Sequence, residues 1–364
     1  MALISSAIKT RYQQAASNAK VTLARHPQRT ITDELQNIAC SIEEHDSRDT
    51  YGIGGTIAAF EAQVASLFNK PSGLFLPTGT LAQCAAMKCY SEVSGKPNVA
   101  LHPTSHLLIH EHMAIEALWG LNVSQYGKFH SVVKASDLYE LDPTTTCALI
   151  VELPMREIGG ALPSWQDLLE IRQWCDTNQV KMHMDGARIW QTTTYYERHL
   201  SDIAQLFDSI YVSFYKDLGG IFGAALVADT NLIDRARIWA RRAGGNPITL
   251  YPEVLAARKG LQDYLPKMPH YAAYTTALCN ALKDLPVSVI PEQPQASMFH
   301  LKFEMSPEAL VTKLAQYAEQ TGILVLPLPR AGDANHSVCE VTIGDNALSH
   351  PVEFWVKHLA ECLR

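Results

Sequence analysis

Val180-Lys181-Met182-His183-Met184-Asp185-Gly186-Ala187-Arg188 and Asp208-Ser209-Ile210-Tyr211-Val212-Ser213-Phe214-Tyr215-Lys216-Asp217-Leu218-Gly219-Gly220 decide the fold. Each run reads as a short buried strand with one charged residue at its carboxyl end, Asp185 from the first and Lys216 from the second. The interval between them has room for one crossover. An acid and a lysine at neighbouring strand ends suit pyridoxal phosphate chemistry. The amine forms an imine with the cofactor aldehyde, and the carboxylate keeps the pyridine nitrogen protonated so that the ring can accept electrons.

Working outward, alternating strands and helices run from residue 70 to 230. Gly73–Leu76, Asn98–Leu101, Leu121–Tyr126 and Thr145–Glu152 read as strands. Thr145–Glu152 is almost continuously apolar, as a central parallel strand requires. Phe222–Ala228 returns as an antiparallel strand. The pattern predicts an α/β three-layer sandwich with a mostly parallel sheet, and ligands in such sheets bind beyond the carboxyl ends of the strands. Pro77-Thr78-Gly79-Thr80 lies at one such end, before a helix whose free N–H groups and positive dipole suit an anion. His106, Glu152, Asp185 and Lys216 lie at others.

From Ser297 onward short strands alternate with helices, which predicts a smaller C-terminal α+β domain after a Pro-rich linker over 286–295. The expected division is a helical arm over 1–48, a large domain over 49–255 and a small domain over 256–364. The first 32 residues hold five Lys or Arg and no acid, and they read as an arm that clasps a partner subunit rather than as a transit peptide.

Four histidines fall within His102–His112, but no H-E-x-x-H or third ligand accompanies them, so no metal is expected. One imidazole is better placed flat on a planar cofactor. The formal net charge of −7 disfavours nucleic acid, and no apolar run reaches the length of a membrane span. The eight cysteines form no C-x-x-C pair and read as reduced, buried thiols of a cytoplasmic protein.

Several segments together resemble one family. Asp49-x-Tyr51-Gly52, Pro77-Thr78-Gly79-Thr80-Leu81-Ala82, Ser105-His106 with Glu111, Gly159-Gly160, Asp185-Gly186-Ala187-Arg188 and Lys216-x-Leu218-Gly219 occur in this order. They resemble the low-specificity threonine aldolases, the β-eliminating lyase branch of fold-type-I pyridoxal phosphate enzymes. The resemblance implies that Lys216 carries the cofactor, Asp185 pairs with the pyridine nitrogen and His106 stacks on the ring. It implies that Thr78, Gly79 and Thr80 hold the phosphate. Arg188 would meet the cofactor's ring oxygen or the substrate carboxylate. It also implies a homodimer or homotetramer with shared active sites, where Tyr51 and the Arg241/Arg242 loop serve a neighbour.

Two departures stand out. Where the family has a histidine for the substrate hydroxyl, this chain has Met155; where it has a carboxylate-binding arginine, the alignment places Glu340. The expected reaction is aldol cleavage of a threonine-like β-hydroxy amino acid to glycine and an aldehyde. β-Elimination on another amino acid and transamination are the alternatives. With Met155 in place, His110, Glu157 or a water near the phosphate is the candidate proton acceptor.

Overall fold

The computed structural model describes residues 4–23, 25–27 and 29–364. The chain divides into two compact units, one of residues 29–156 and 162–266, the other of residues 1–28, 157–161 and 267–364.

The larger unit is built on a seven-stranded sheet. Its strands are β1 (Ser72–Leu76), β2 (Asn98–Leu101), β3 (Asn122–Gln125), β4 (Thr146–Glu152), β5 (Lys181–Gly186), β6 (Ser209–Ser213) and β7 (Ala224–Ala228), in the order β1-β7-β6-β5-β4-β2-β3. Only β7 runs against the rest, and it pairs antiparallel with both β6 and β1. The parallel register sets Glu152 beside Asp185 and Asp185 beside Tyr211.

The pleat of β1 shows why the sheet is covered on both faces. Leu74 and Leu76 join a cluster with Ala82, Ala85 and Ala86 of the helix Gly79–Ser94. Phe75 points the other way, against Phe60 of the helix Gly55–Leu67 and against Phe214. Successive side chains of a strand leave on opposite faces, so each strand supplies both layers. That is why β4, β6 and β7 are buried along their length and read as unbroken apolar runs.

The smaller unit holds a four-stranded antiparallel sheet. Its strands are β8 (Val287–Ile290), β9 (Met298–Phe303), β10 (Ala331–Gly332) and β11 (Ser337–Thr342), in the order β10-β11-β9-β8. Here the expectations need correction. The Pro-rich stretch is not simply a linker, because Val287–Ile290 pairs with Leu301 and its neighbours as an edge strand. The first helix, Ser6–Asn18, makes contacts inside the small unit. It packs within its own unit, where the Tyr12 hydroxyl donates to the Leu326 carbonyl at 2.8 Å and Arg11 pairs with Glu319. Val21–Thr22 then pairs parallel with Ile323–Leu324. The unit boundaries therefore differ from 48/49 and 255/256: residues 29–48 and 256–266 go with the large unit, and residues 1–28 with the small one. All eight cysteines are free, and seven are buried; Cys40 is the exposed exception to the expected pattern.

Candidate active site

The two runs that opened the sequence end side by side. Asp185 sits near the end of β5, only 2% exposed, and its Oδ1 accepts the Ala187 N–H at 3.2 Å. Lys216 follows β6 in a tight turn. That turn is closed by the Gly220 N–H donating to the Phe214 carbonyl at 2.9 Å and the Phe214 N–H donating to the Gly223 carbonyl at 3.2 Å. Behind it lies Gly260, where any Cβ would come within 2.0 Å of the Leu218 carbonyl. The helix Tyr251–Tyr264 can therefore press on the lysine turn only because it carries glycine there.

Burial sets the chemistry of the lysine. Desolvation, then the nearby Arg188 guanidinium, lowers the Lys216 ammonium from 10.5 to about 8, against the pull of Asp185 and Glu152. Arg188 is itself buried, and the turn after it is tied to β6 by the Trp190 indole N–H donating to the Ser213 carbonyl at 3.0 Å. Glu152 behaves oppositely. Burial, then the charge of Asp185, raises its carboxyl, and its Oε2 has no hydrogen-bond partner among the described residues.

At the end of β1 Thr78 caps the helix Gly79–Ser94, its Oγ1 accepting the Leu81 N–H at 3.2 Å. The cap leaves the first-turn N–H groups of Gly79 and Thr80 without intrahelical acceptors. A Cβ on residue 79 would lie 2.1 Å from the Tyr211 hydroxyl, so glycine is what lets the turn sit down on β6. Beyond β2, His106 Nε2 lies 3.0 Å from Glu111 Oε1, and the His106 side chain is 34% exposed. Its ring is 4.7 Å from that of His110. The His106 hydrogen bond does most to hold the Glu111 carboxyl below its ordinary value, against burial, with help from the Thr80 hydroxyl and the charges of His106 and Lys216.

These residues fit pyridoxal phosphate. A half-buried amine of lowered basicity, a buried carboxylate with one oxygen capped and a helix-start turn made by glycine suit its aldehyde, its pyridine nitrogen and its phosphate. No group of three or more potential metal ligands occurs among the described residues.

The departures also have places. Met155 is fully enclosed in the large unit. Glu340 lies in the small unit, on β11 opposite His300, and its Oε2 accepts from Arg330 Nη1 at 3.0 Å. Arg330 also holds Glu157 at 2.5 Å, so Glu157 is spoken for as an ion-pair partner. Tyr51 is 43% exposed, with the Arg241 guanidinium 4.8 Å from its ring centroid. Asp49 of the same motif is a clamp: its carboxylate accepts from the Thr249 hydroxyl, the Leu250 N–H and the Gly52 N–H.

Sequence reasoning missed the supporting tyrosines. Tyr211 packs under Gly79 of the Thr78–Thr80 turn, and the Tyr215 ring centroid lies 5.7 Å from Lys216 Nζ. The signal was present, since a tyrosine inside an apolar strand and another beside the lysine both need a reason.

A family model described as beta-eliminating lyase matches residues 29–304. A Listeria monocytogenes structure provisionally described as an L-allo-threonine aldolase is 31% identical and superposes with a TM-score of 0.92 over 98% of this chain and 99% of that one. An Exiguobacterium structure, provisionally an aromatic amino acid beta-eliminating lyase/threonine aldolase, matches at 31% identity and a TM-score of 0.92 over 97% and 99%. Low-specificity L-threonine aldolase 1 of Arabidopsis thaliana is 23% identical over 81% of this chain and 84% of its own.

Proposed function

The chain belongs to the beta-eliminating lyase family, and on that footing we propose that it cleaves a β-hydroxy-α-amino acid to glycine and an aldehyde with pyridoxal phosphate. The Listeria and Arabidopsis relatives are described by L-allo-threonine and L-threonine respectively, and a β-hydroxyl is what these substrates share. Elimination and transamination are not favoured by these relatives. The observation that carries the reading is the half-buried Lys216 amine in the turn after β6, lowered to about 8 by desolvation and the Arg188 charge against the pull of Asp185.

When bound, the cofactor would supply an electron sink for the bond broken at the substrate's α-carbon. The chain's own residues have separate tasks. Lys216 offers an amine that is neutral in useful amount near physiological pH, since a value of about 8 lies close to neutrality. Asp185, shut away from water, would keep a ring nitrogen protonated. Gly79 and Thr80 would hold the phosphate through N–H groups at a helix start, with Thr78 capping that turn. Arg188 holds the lysine toward neutrality and would pair with the substrate carboxylate or the ring oxygen. His106 would cover the ring face. Met155 can take no proton, which leaves His106, His110 or a water to accept the one that leaves the substrate hydroxyl.

A cytoplasmic location and a homodimer or homotetramer with shared sites complete the proposal. Free thiols support the location, which cell fractionation checks; a membrane or secreted pool would contradict it. No helix among the described residues is long and apolar enough to cross a membrane. Exposed apolar side chains around the helix Ile31–Ala39 support the assembly.

The test is a product assay with cofactor and threonine, allo-threonine or phenylserine. Glycine and aldehyde in equal amounts are expected. Ammonia and a keto acid without glycine would put the protein in the elimination class instead.

A further inference from the structure

The segment from Ser105 to Met113 contains a contact that helix geometry alone does not produce. The short helix His106–Ile109 ends at once, with the His110 N–H closing on the His106 carbonyl at 2.9 Å. His112 and Met113 then both adopt left-handed backbone, with φ of 49° and 59°. Neither is glycine, and each is disfavoured because its Cβ crowds the following carbonyl. Met113 is exposed, so burial of its side chain does not explain the conformation. Just before this reversal, Glu111 Oε1 lies 3.0 Å from His106 Nε2. The same carboxylate feels the Thr80 hydroxyl and the charge of Lys216, so it faces the phosphate turn and the lysine as well as the histidine. Strained non-glycine residues that survive next to a functional group are kept because the surrounding structure fixes them.

We propose that Glu111 is the positioning residue of this site: by engaging Nε2 it fixes the plane of the His106 ring and keeps a proton on that nitrogen before cofactor or substrate arrives. The proposal rests on the reading that His106 serves the cofactor. It assigns Glu111 no contact with substrate. It makes the Ser105–Met113 turn a device that ties the ring-face histidine to the phosphate turn through one carboxylate. His110, with its ring 4.7 Å away, is a further titratable group facing His106.

The experiment compares the full-length wild type with Glu111→Gln and Glu111→Asp, with and without pyridoxal phosphate. Histidine-selective NMR follows the His106 ring, its signal assigned by loss in His106→Asn. Removing the carboxylate charge is expected to reduce the fraction of His106 rings that carry the proton on Nε2, read from the ring 15N shifts, with or without cofactor. In the holoenzyme kcat is expected to fall on the order of 10- to 100-fold, with KM changed less than about threefold. Tm should stay within about 2 °C of wild type, and Glu111→Asp should recover kcat to within about fivefold. Unchanged His106 ring 15N shifts in Glu111→Gln overturn the proposal. So does a fall in Tm that accounts for the lost activity and is not rescued by aspartate. If the wild type itself releases no aldehyde, the aldolase reading fails, while the cofactor-free NMR comparison still decides the pair.

Discussion

Arg188 sits at the point where charge and burial meet. It is the second cause, after desolvation, of the lowered Lys216 value, and removing its charge while keeping its size separates the two. In the wild type, cofactor uptake by the apo-protein should speed up as pH rises through about 8, because only the neutral amine attacks an aldehyde. In Arg188→Gln the midpoint should move upward, by roughly half to one pH unit, as a like charge is removed. A stopped-flow pH profile with an unshifted or lowered midpoint would show that Arg188 does not tune the lysine. At this scale the sequence was largely legible. Asp185, Lys216, Thr78, Gly79, Thr80 and His106 could be read from strand ends and turn chemistry, and they fall on the same unit. The partners were not legible. Nothing in the local pattern says that Glu152 will sit beside Asp185, since that pairing depends on the register of β4 against β5. Nor does it say that Glu340 will be matched by Arg330 from the neighbouring strand segment.

Among the elements, the helix Ile31–Ala39 behaves least like a part of a folded core. Thr30 caps it, with Oγ1 accepting the Asp33 N–H at 3.1 Å, yet none of its residues is buried. Ile31, Leu35 and Ile42 are 78%, 56% and 54% exposed. Ile31 and Leu35, spaced i and i+4, share one face of the helix and Ile42 follows its end, an exposed apolar patch of the kind that a second apolar face covers. The proposed assembly predicts that Leu35→Lys shifts the protein toward a smaller species in light scattering, with Tm of the monomer changed by only a few degrees. A wild type that is already monomeric, or a variant with unchanged mass, would remove this helix from the interface. The strands were easier to read than this helix, because β4, β6 and β7 lie buried in the sheet, where apolar runs are unambiguous. The edge strand β8 was hidden by its flanking prolines, since Pro is tolerated at strand ends and turns alike.

Over the whole molecule, fold class followed from the alternation of strands and helices, but the division into units did not. Residues 157–161 leave the large unit for the small one and return, and the first 28 residues join the C-terminal ones. Such crossings leave no mark on composition, because they are set by tertiary pairings such as Arg330 with Glu157 and Val21 with Ile323. What unites the chain functionally is the claim that one amine, Lys216, carries the cofactor. Lys216 is lowered to about 8, first by burial and then by the Arg188 charge. Incubation with pyridoxal phosphate, reduction with borohydride and peptide mapping by mass spectrometry tests this directly. The account predicts a yellow protein whose colour is lost on reduction, with one stoichiometric adduct on Lys216 that is absent in Lys216→Ala. A protein that stays colourless with the cofactor, or a principal adduct on any other lysine, would contradict it.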